Sequence, residues 1–271
     1  MGRRARLDAE LVRRGLARSR DHAAELVAQH RVRVGGVTAT KPSTGVDAGT
    51  PLLVRTKGNE PNWVSRGARK LLGALDGLPA GGPAVAGRRC LDAGASTGGF
   101  TDVLLHRGAR EVVAVDVGYG QLAWSLRTDE RVRVHDRTNV RTLRPEFIGG
   151  AVDLTVADLS FISLRLVLPA LARCTRADGD LLPLVKPQFE VGRDRLGAGG
   201  VVRDPQLRVQ AMLDVLAVAA DLRLCLLDAT ASPLPGPSGN VEYFLWLRQG
   251  VPDPSRAAEE LVHAAVRRGP Q

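Results

Sequence analysis

Four side chains of this sequence are of types that can move a proton beside a reacting group: the lysines Lys70 and Lys186 and the carboxylates Asp158 and Glu242. Only four of the 38 basic residues are lysines, at Lys41, Lys57, Lys70 and Lys186. In a chain that uses arginine almost everywhere, a lysine is a candidate for work that needs an amine able to lose its proton. Asp158 closes the apolar run D-L-T-V-A-D and Lys186 closes L-P-L-V-K. Both therefore fall at the carboxyl ends of expected strands, where neighbouring strands of an open α/β sheet share one crevice. Glu242 lies in G-N-V-E-Y-F-L-W-L, and Lys70 on an amphipathic segment, S-R-G-A-R-K-L-L, that can cross that crevice. Each of the four could otherwise be half of a structural ion pair.

The turn L-D-A-G-A-S-T-G-G-F, residues 91–100, follows an apolar strand and precedes a helical segment from Thr101 to Arg107. Gly94, Gly98 and Gly99 let a ligand lie against bare backbone, and the amides that open the helix can hold an anionic group. Asp92, Ser96, Thr97 and Phe100 complete this candidate cofactor turn. Its glycines lack the G-x-G-x-x-G spacing of a dinucleotide site. About twenty residues on, Asp116 ends the next strand in V-V-A-V-D-V-G-Y-G-Q-L, where a carboxylate can accept two hydrogen bonds from a ribose diol. After the third strand, Asp136 or Asn139 can take an adenine amino group, or serve in a turn or helix cap. The G-x-x-x-G-G-F form resembles the first motif of S-adenosylmethionine-dependent methyltransferases. That resemblance implies S-adenosylmethionine as cofactor, with Asp158 beside the methyl donor and no metal.

The elements that must position these groups follow from periodicity. Short apolar strands at Cys90–Ala93, Val112–Val115, Val132–His135, Leu154–Ala157, Leu181–Val185, Arg223–Asp228 and Glu242–Leu247 alternate with helical segments. That rhythm predicts a doubly wound, largely parallel α/β sheet with a late antiparallel strand. Upstream, Leu7, Leu11, Leu16, Ala23, Leu26 and Val27 sit at helical spacing, with Gly15 dividing two short helices. Asp8 is the expected cap of the first helix and Ser19 of the second. Val32, Val34, Gly35-Gly36 and Val37 read as a hairpin. The polar stretch 55–64 separates the patterns, so residues 1–54 and 65–271 are the expected domains and 55–64 the linker.

Charge divides the chain in the same place. Residues 1–60 hold twelve Lys or Arg against six Asp or Glu, so +6 of the net +9 lies there. A basic module of this kind suits a polyanion, although a basic surface can also serve solubility alone. The segment from Arg6 to Pro42 resembles the S4-like RNA-binding fold in Leu7, Asp8, Gly15, Ser19, Arg20, Ala23, Val32, Val34, Gly36, Lys41 and Pro42. The resemblance makes Arg3, Arg4, Arg18, Arg20, Arg31 and Lys41 candidate RNA contacts; Arg66 and Arg193, the latter in the glycine- and arginine-rich loop 188–204, are further candidates. The loop 232–240 carries three prolines and is expected to shape the substrate mouth. With only ten aromatics in the chain, recognition is expected to rest on RNA shape and phosphates more than on stacking.

Lys70, Asp158, Lys186 and Glu242 match the K-D-K-E set of the ribose 2′-O-methyltransferases related to FtsJ. With the S4-like module and the segments G-A-S-T-G-G-F, L-V-K-P-Q-F-E and G-N-V-E-Y-F, the chain resembles the TlyA family over nearly its whole length. One departure is Asp136, where many relatives carry Glu. The family implies a class I (Rossmann-like) methyltransferase domain behind an S4-like domain, and cytidine 2′-O-methylation of 16S rRNA within ribosomal subunits, with 23S rRNA of the 50S subunit left open as a second substrate. It also implies that loss of the mark gives resistance to peptide antibiotics such as capreomycin. A ribose hydroxyl ionises far above neutral pH, so Lys186 is the expected base, oriented by Asp158, with Lys70 and Glu242 positioning the hydroxyl or stabilising charge. Two other readings remain at this point: a ribosome-assembly RNA-binding protein without methyl transfer, and a membrane-active haemolysin, a name the family also carries. No uncharged apolar run approaches a membrane span and no signal-peptide pattern opens the chain, so the cytoplasm is the expected compartment; the sequence leaves the oligomeric state open, with a monomer favoured. Cys90, Cys174 and Cys225 are expected to be free thiols buried in strand-like segments.

Overall fold

The computed structural model describes residues 4–17, 19–47, 49–54, 61, 63–79, 82–250 and 257–270, without the side chain of Arg193. The chain divides into two compact units, Met1–Asn62 and Trp63–Gln271.

In the first unit, β1 (Ala5–Arg6) runs into α1 (Leu7–Arg13), followed by α2 (Arg20–Ala28), β2 (Val32–Val34), β3 (Val37–Thr38), β4 (Gly45–Val46) and β5 (Leu52–Val54). Leu7 and Leu11 of α1 and Ala23, Leu26 and Val27 of α2 bury their side chains against Val32 and Val46, a core drawn from within the unit. Ser19 caps α2, its Oγ accepting from the His22 amide at 3.1 Å. Asp8 departs from expectation. It lies inside α1, whose N-cap is Arg6, and its buried carboxylate takes Arg6 Nη2 at 2.8 Å and Arg20 Nη2 at 3.1 Å. These cations hold Asp8 well below the usual carboxylate range. β2 is the centre of a three-stranded sheet with β3 and β5, while β1 pairs with β4.

The second unit comprises α3 (Ala68–Gly77), β6 (Arg89–Ala93), α4 (Gly99–His106), β7 (Glu111–Val115), α5 (Trp124–Arg127), β8 (Val132–His135), β9 (Val152–Ala157), α6 (Leu164–Cys174), β10 (Thr175–Val185), α7 (Pro187–Glu190), α8 (Pro205–Asp221), β11 (Leu224–Ala231), β12 (Tyr243–Gln249) and α9 (Ala258–Arg268). Seven strands form one sheet in the order β11-β12-β10-β9-β6-β7-β8. β6 to β10 are mutually parallel, and β12 runs antiparallel between β10 and β11. The central strands read as unbroken apolar runs because both faces are covered. Val113 and Val115 pack in one core with α6 and α8, and Val112 and Ala114 in the other with α3 and α4.

The alternation of strand and helix is looser than expected between β8 and β9, where only two 3₁₀ turns, Val140–Thr142 and Pro145–Ile148, intervene. β10 begins at Thr175 rather than Leu181 because its acidic start is internally satisfied. The fully buried Asp180 accepts from Trp246 Nε1 at 2.8 Å, Arg248 Nη2 at 2.6 Å and Arg88 Nη1 at 3.0 Å. Cys90 is a buried free thiol in a strand; Cys174 is buried but ends a helix, and Cys225 is only half-buried on β11.

Candidate active site

The chain leaves β6 toward β7 and β8, then returns to place β9 on the other side of β6. Where an open sheet reverses in this way, the connections after the two diverging strands splay apart and leave a crevice. The turn after β6 and the loop after β9 meet there, with Gly94 N donating to Val115 O at 2.8 Å and Asp158 N to Ala93 O at 3.1 Å. Gly94 has φ +87°, and a Cβ on it would lie 2.7 Å from the Asp158 carbonyl oxygen. Gly99, first residue of α4, passes so close to α3 that a Cβ would sit 2.8 Å from the Ala68 amide nitrogen. Bare backbone lets the turn lie against the loop after β9 at Gly94 and the start of α4 lie against that of α3 at Gly99.

Behind the turn, Asp92 is fully buried. Its Oδ2 accepts from Thr101 N at 2.8 Å and Thr101 Oγ1 at 2.7 Å. Burial pushes its carboxyl up to about 7. Asp92 therefore ties the end of β6 to the first turn of α4 without lining the crevice, and Gly98, the residue preceding that helix, faces Leu122 and Leu126 rather than the cavity.

A cavity of about 330 Å³ occupies the crevice, lined by Gly94, Ser96, Thr97, Gly99 and Phe100 of the turn together with Lys70, Asp158 and Lys186. Lys186 Nζ lies 2.5 Å from Asp158 Oδ1, and Lys70 Nζ lies 3.7 Å from Asp158 Oδ2 and 2.6 Å from Glu242 Oε2. The four groups form one chain of alternating charge running inward from Lys186 to Glu242. Glu242 does not line the cavity; it is 1% exposed and stands behind Lys70. Lys186 also donates to Ser160 Oγ at 2.8 Å, and Ser160 shares the cavity wall with Ser65, Arg66 and Pro237. Pro237 brings the proline-rich loop to the mouth.

Asp116, Asp136 and Asn139 lie outside this wall. Asp116 adjoins it through Ser96, whose amide donates to Oδ2 at 2.8 Å, while Gly118 N donates to Oδ1 at 2.7 Å. Asp136 is turned onto Arg127 at 2.9 Å and accepts from Gly120 N at 3.2 Å. Asn139 caps a 3₁₀ turn through Arg141 N at 3.0 Å.

Of the candidate RNA contacts, Arg4 lies 3.7 Å from Asp47, Arg20 bonds Asp8, and Arg31 donates to Gln29 Oε1 at 3.3 Å. Lys41 is exposed, as is Arg66 at the cavity. Arg3, Arg18 and the side chain of Arg193 lie outside the described residues. Aromatics are freer than their number implied: Tyr119 is 67%, Trp124 76%, Phe147 70% and Phe161 92% exposed. Composition counts aromatics but does not say which are needed in a core. Sequence reasoning also passed over Ser160, Phe161 and Glu190, although each lies within four residues of Asp158 or Lys186.

Two family models match the chain: that of the FtsJ-like methyltransferases over residues 63–249 and that of the S4 domain over residues 5–52. Among curated relatives, the 16S/23S rRNA (cytidine-2′-O)-methyltransferase TlyA of Mycobacterium tuberculosis is 61% identical, covering 100% of both chains. Hemolysin A of Brachyspira hyodysenteriae is 34% identical over 88% of this chain and 98% of its own. A solved structure of a Streptococcus thermophilus protein also described as a hemolysin superimposes with a TM-score of 0.73 at 38% identity, covering 97% of this chain and 96% of that one.

Proposed function

The chain belongs to the FtsJ-like methyltransferases and, with its S4 domain, to the TlyA group; on that footing we propose that it methylates the 2′-hydroxyl of a cytidine in ribosomal RNA, with Lys186 as base. The observation that carries the reading is the convergence of Lys70, Asp158 and Lys186 on the cavity roofed by the Gly94–Phe100 turn, with Glu242 directly behind.

The residues of the crevice fit S-adenosylmethionine. The turn offers backbone with no side chain at Gly94, and Asp116 keeps lone pairs beyond those facing Ser96 and Gly118 for a ribose diol. When bound there, S-adenosylmethionine supplies an electrophilic methyl group. We assign the methionine end to the Gly94–Phe100 turn and the ribose to Asp116. Asp136 meets Arg127 and Gly120 through Oδ2 alone and keeps Oδ1 for an adenine amino group, whereas Asn139 Oδ1 is engaged by the Arg141 amide. Asp92 supports the turn from behind.

The hydroxyl must lose its proton as it attacks. Lys186 Nζ is the assigned acceptor of that proton, and the ammonium it becomes lies 2.5 Å from Asp158 Oδ1 and donates to Ser160 Oγ at 2.8 Å. Lys70, held by Glu242, keeps a fixed positive charge on the other oxygen of Asp158 and so fixes the direction of that carboxylate. Most of this geometry exists before substrate arrives, which is the form in which electrostatic stabilisation is most effective.

We assign residues 1–54 to RNA capture through Arg4, Arg20, Arg31 and Lys41, residues 65–271 to catalysis with Arg66 at the mouth, and 55–64 to the link. Ribosomal RNA in the 30S subunit, and in the 50S subunit as well, is the proposed partner of a monomeric enzyme. The hemolysin names of some relatives find no helix here, among the described residues, long and apolar enough to cross a membrane. The deciding experiment is transfer of labelled methyl to purified 30S and 50S subunits lacking the mark, with the parent enzyme and Lys186→Ala. Label on a ribose 2′-oxygen, lost in the variant while cofactor binding persists, is expected. No label on either subunit would leave an RNA-binding assembly factor as the better account.

A further inference from the structure

Two cross-links join the same two stretches of chain. One is inside the cavity, where Lys186 meets Asp158 and Ser160. The other lies outside it. Glu190 ends α7, the single turn that begins just after Lys186, and its carboxylate is aimed at the start of α6. Oε2 accepts from Ser163 Oγ at 2.5 Å and Oε1 from Leu164 N at 2.7 Å, while Arg165 Nε lies 3.4 Å from Oε2. Ser163 in turn caps α6, its Oγ accepting from Arg165 N at 3.2 Å. Glu190 is 3% exposed and lines no part of the cavity. Burial raises its carboxyl above the usual range, against the pull of these donors, so the group is held in the interior at a cost.

The loop between the two cross-links shows what that cost supports. Phe161 adopts φ +63°, a left-handed conformation that a bulky side chain takes only when its surroundings over-determine it. Phe161 is 92% exposed and its ring is tilted at 50° to that of Phe189, with centroids 5.3 Å apart, so packing of the ring does not by itself impose the bend. The bend is imposed from the ends. Asp158 N is bound to Ala93 O at 3.1 Å on one side, and Glu190 holds Ser163 and Leu164 on the other. Confined between these points, the chain turns Ser160 toward Lys186.

We propose that Glu190 is a positioning residue for methyl transfer, clamping residues 159–163 in the strained form that keeps Ser160 and Asp158 on Lys186 Nζ. The inference rests on the reading of Lys186 as base. Glu190→Ala removes both acceptor oxygens, so Ser163 and Leu164 lose their shared partner, whereas Glu190→Gln keeps an oxygen for Leu164 N and an amide nitrogen able to donate to the Ser163 hydroxyl, and is expected to retain the link. Ser163→Ala removes one arm without burying anything new. Hydrogen exchange of the free protein is the first readout: amides of 159–164 are expected to exchange about tenfold faster in Glu190→Ala and close to the parent's rate in Glu190→Gln, with those of β9 and β10 unchanged. Transfer to 30S and 50S subunits is the second: kcat of Glu190→Ala is expected to fall about tenfold or more, with KM and cofactor-binding stoichiometry retained. Glu190→Ala and Ser163→Ala are expected to be non-additive, since they cut the same link. Exchange in Glu190→Ala equal to the parent's, or kcat lost only in proportion to lost cofactor-binding stoichiometry, would overturn the clamp. Failure of the parent enzyme to methylate either subunit would instead count against the methyl-transfer reading, with the exchange rates still deciding whether Glu190 holds the loop.

Discussion

Lys70 has carboxylates on both sides, and the two are not equivalent. Glu242 is 2.6 Å away and buried, whereas Asp158 is 3.7 Å away and shared with Lys186. Removing the nearer partner leaves a buried ammonium with little compensation, a loss that typically amounts to about 3–5 kcal/mol. Glu242→Ala is therefore expected to lower stability by about that much in urea unfolding, and to lower kcat because Asp158 loses its fixed neighbour. A variant as stable and as active as the parent would show that the chain of alternating charge is not a working unit. The four charged residues were legible in the sequence because three of them end or precede apolar strands and two are rare lysines. Ser160 and Glu190 were not. Each acts through a partner 26 or 27 residues away, and a serine in a loop or a glutamate after K-P-Q-F has no local signature of such a partner.

At the level of elements, the buried Asp92 joins β6 to α4 and carries a pH dependence. Its carboxyl, pushed up to about 7 by burial, keeps a proton in the folded protein that the unfolded chain releases near the ordinary carboxylate value of about 4. Because the folded state binds the extra proton, stability is lost as pH rises through this interval and levels off above it. Asp92→Asn still accepts from Thr101 and cannot ionise. Urea unfolding at pH 5 and pH 8 should show the parent losing about 2–3 kcal/mol more than the variant over that range. Equal losses would mean that Asp92 is ionised throughout. Strands were the most legible elements, since apolar runs covered on both faces advertise themselves. What escaped was decided by tertiary pairing: the polar start of β10, satisfied by Arg88, Trp246 and Arg248, and the inward turn of Asp8, satisfied by Arg6 and Arg20.

On the scale of the whole molecule, each unit has a core of its own, and the basic excess lies in the first. A chain cut back to residues 63–271 is expected to fold and to bind cofactor while losing most of its affinity for rRNA. In the full chain, Lys41→Ala is expected to reduce the salt dependence of RNA binding by about one counterion. Fluorescence anisotropy between 50 and 200 mM salt, roughly the range over which counterion release is felt, measures both. Unaltered affinity in the shortened chain would move RNA capture to the catalytic unit. The position of β12 bears on how the enzyme is made. The S4 unit draws its core from residues that precede the catalytic unit in the chain and can fold before it. The sheet cannot close in that order, because the last of its described strands in sequence is inserted between β10 and β11 and carries Glu242 at its entrance. The S4 unit of a nascent chain can thus be folded well before the catalytic charge chain, which is completed only once β12 has been made.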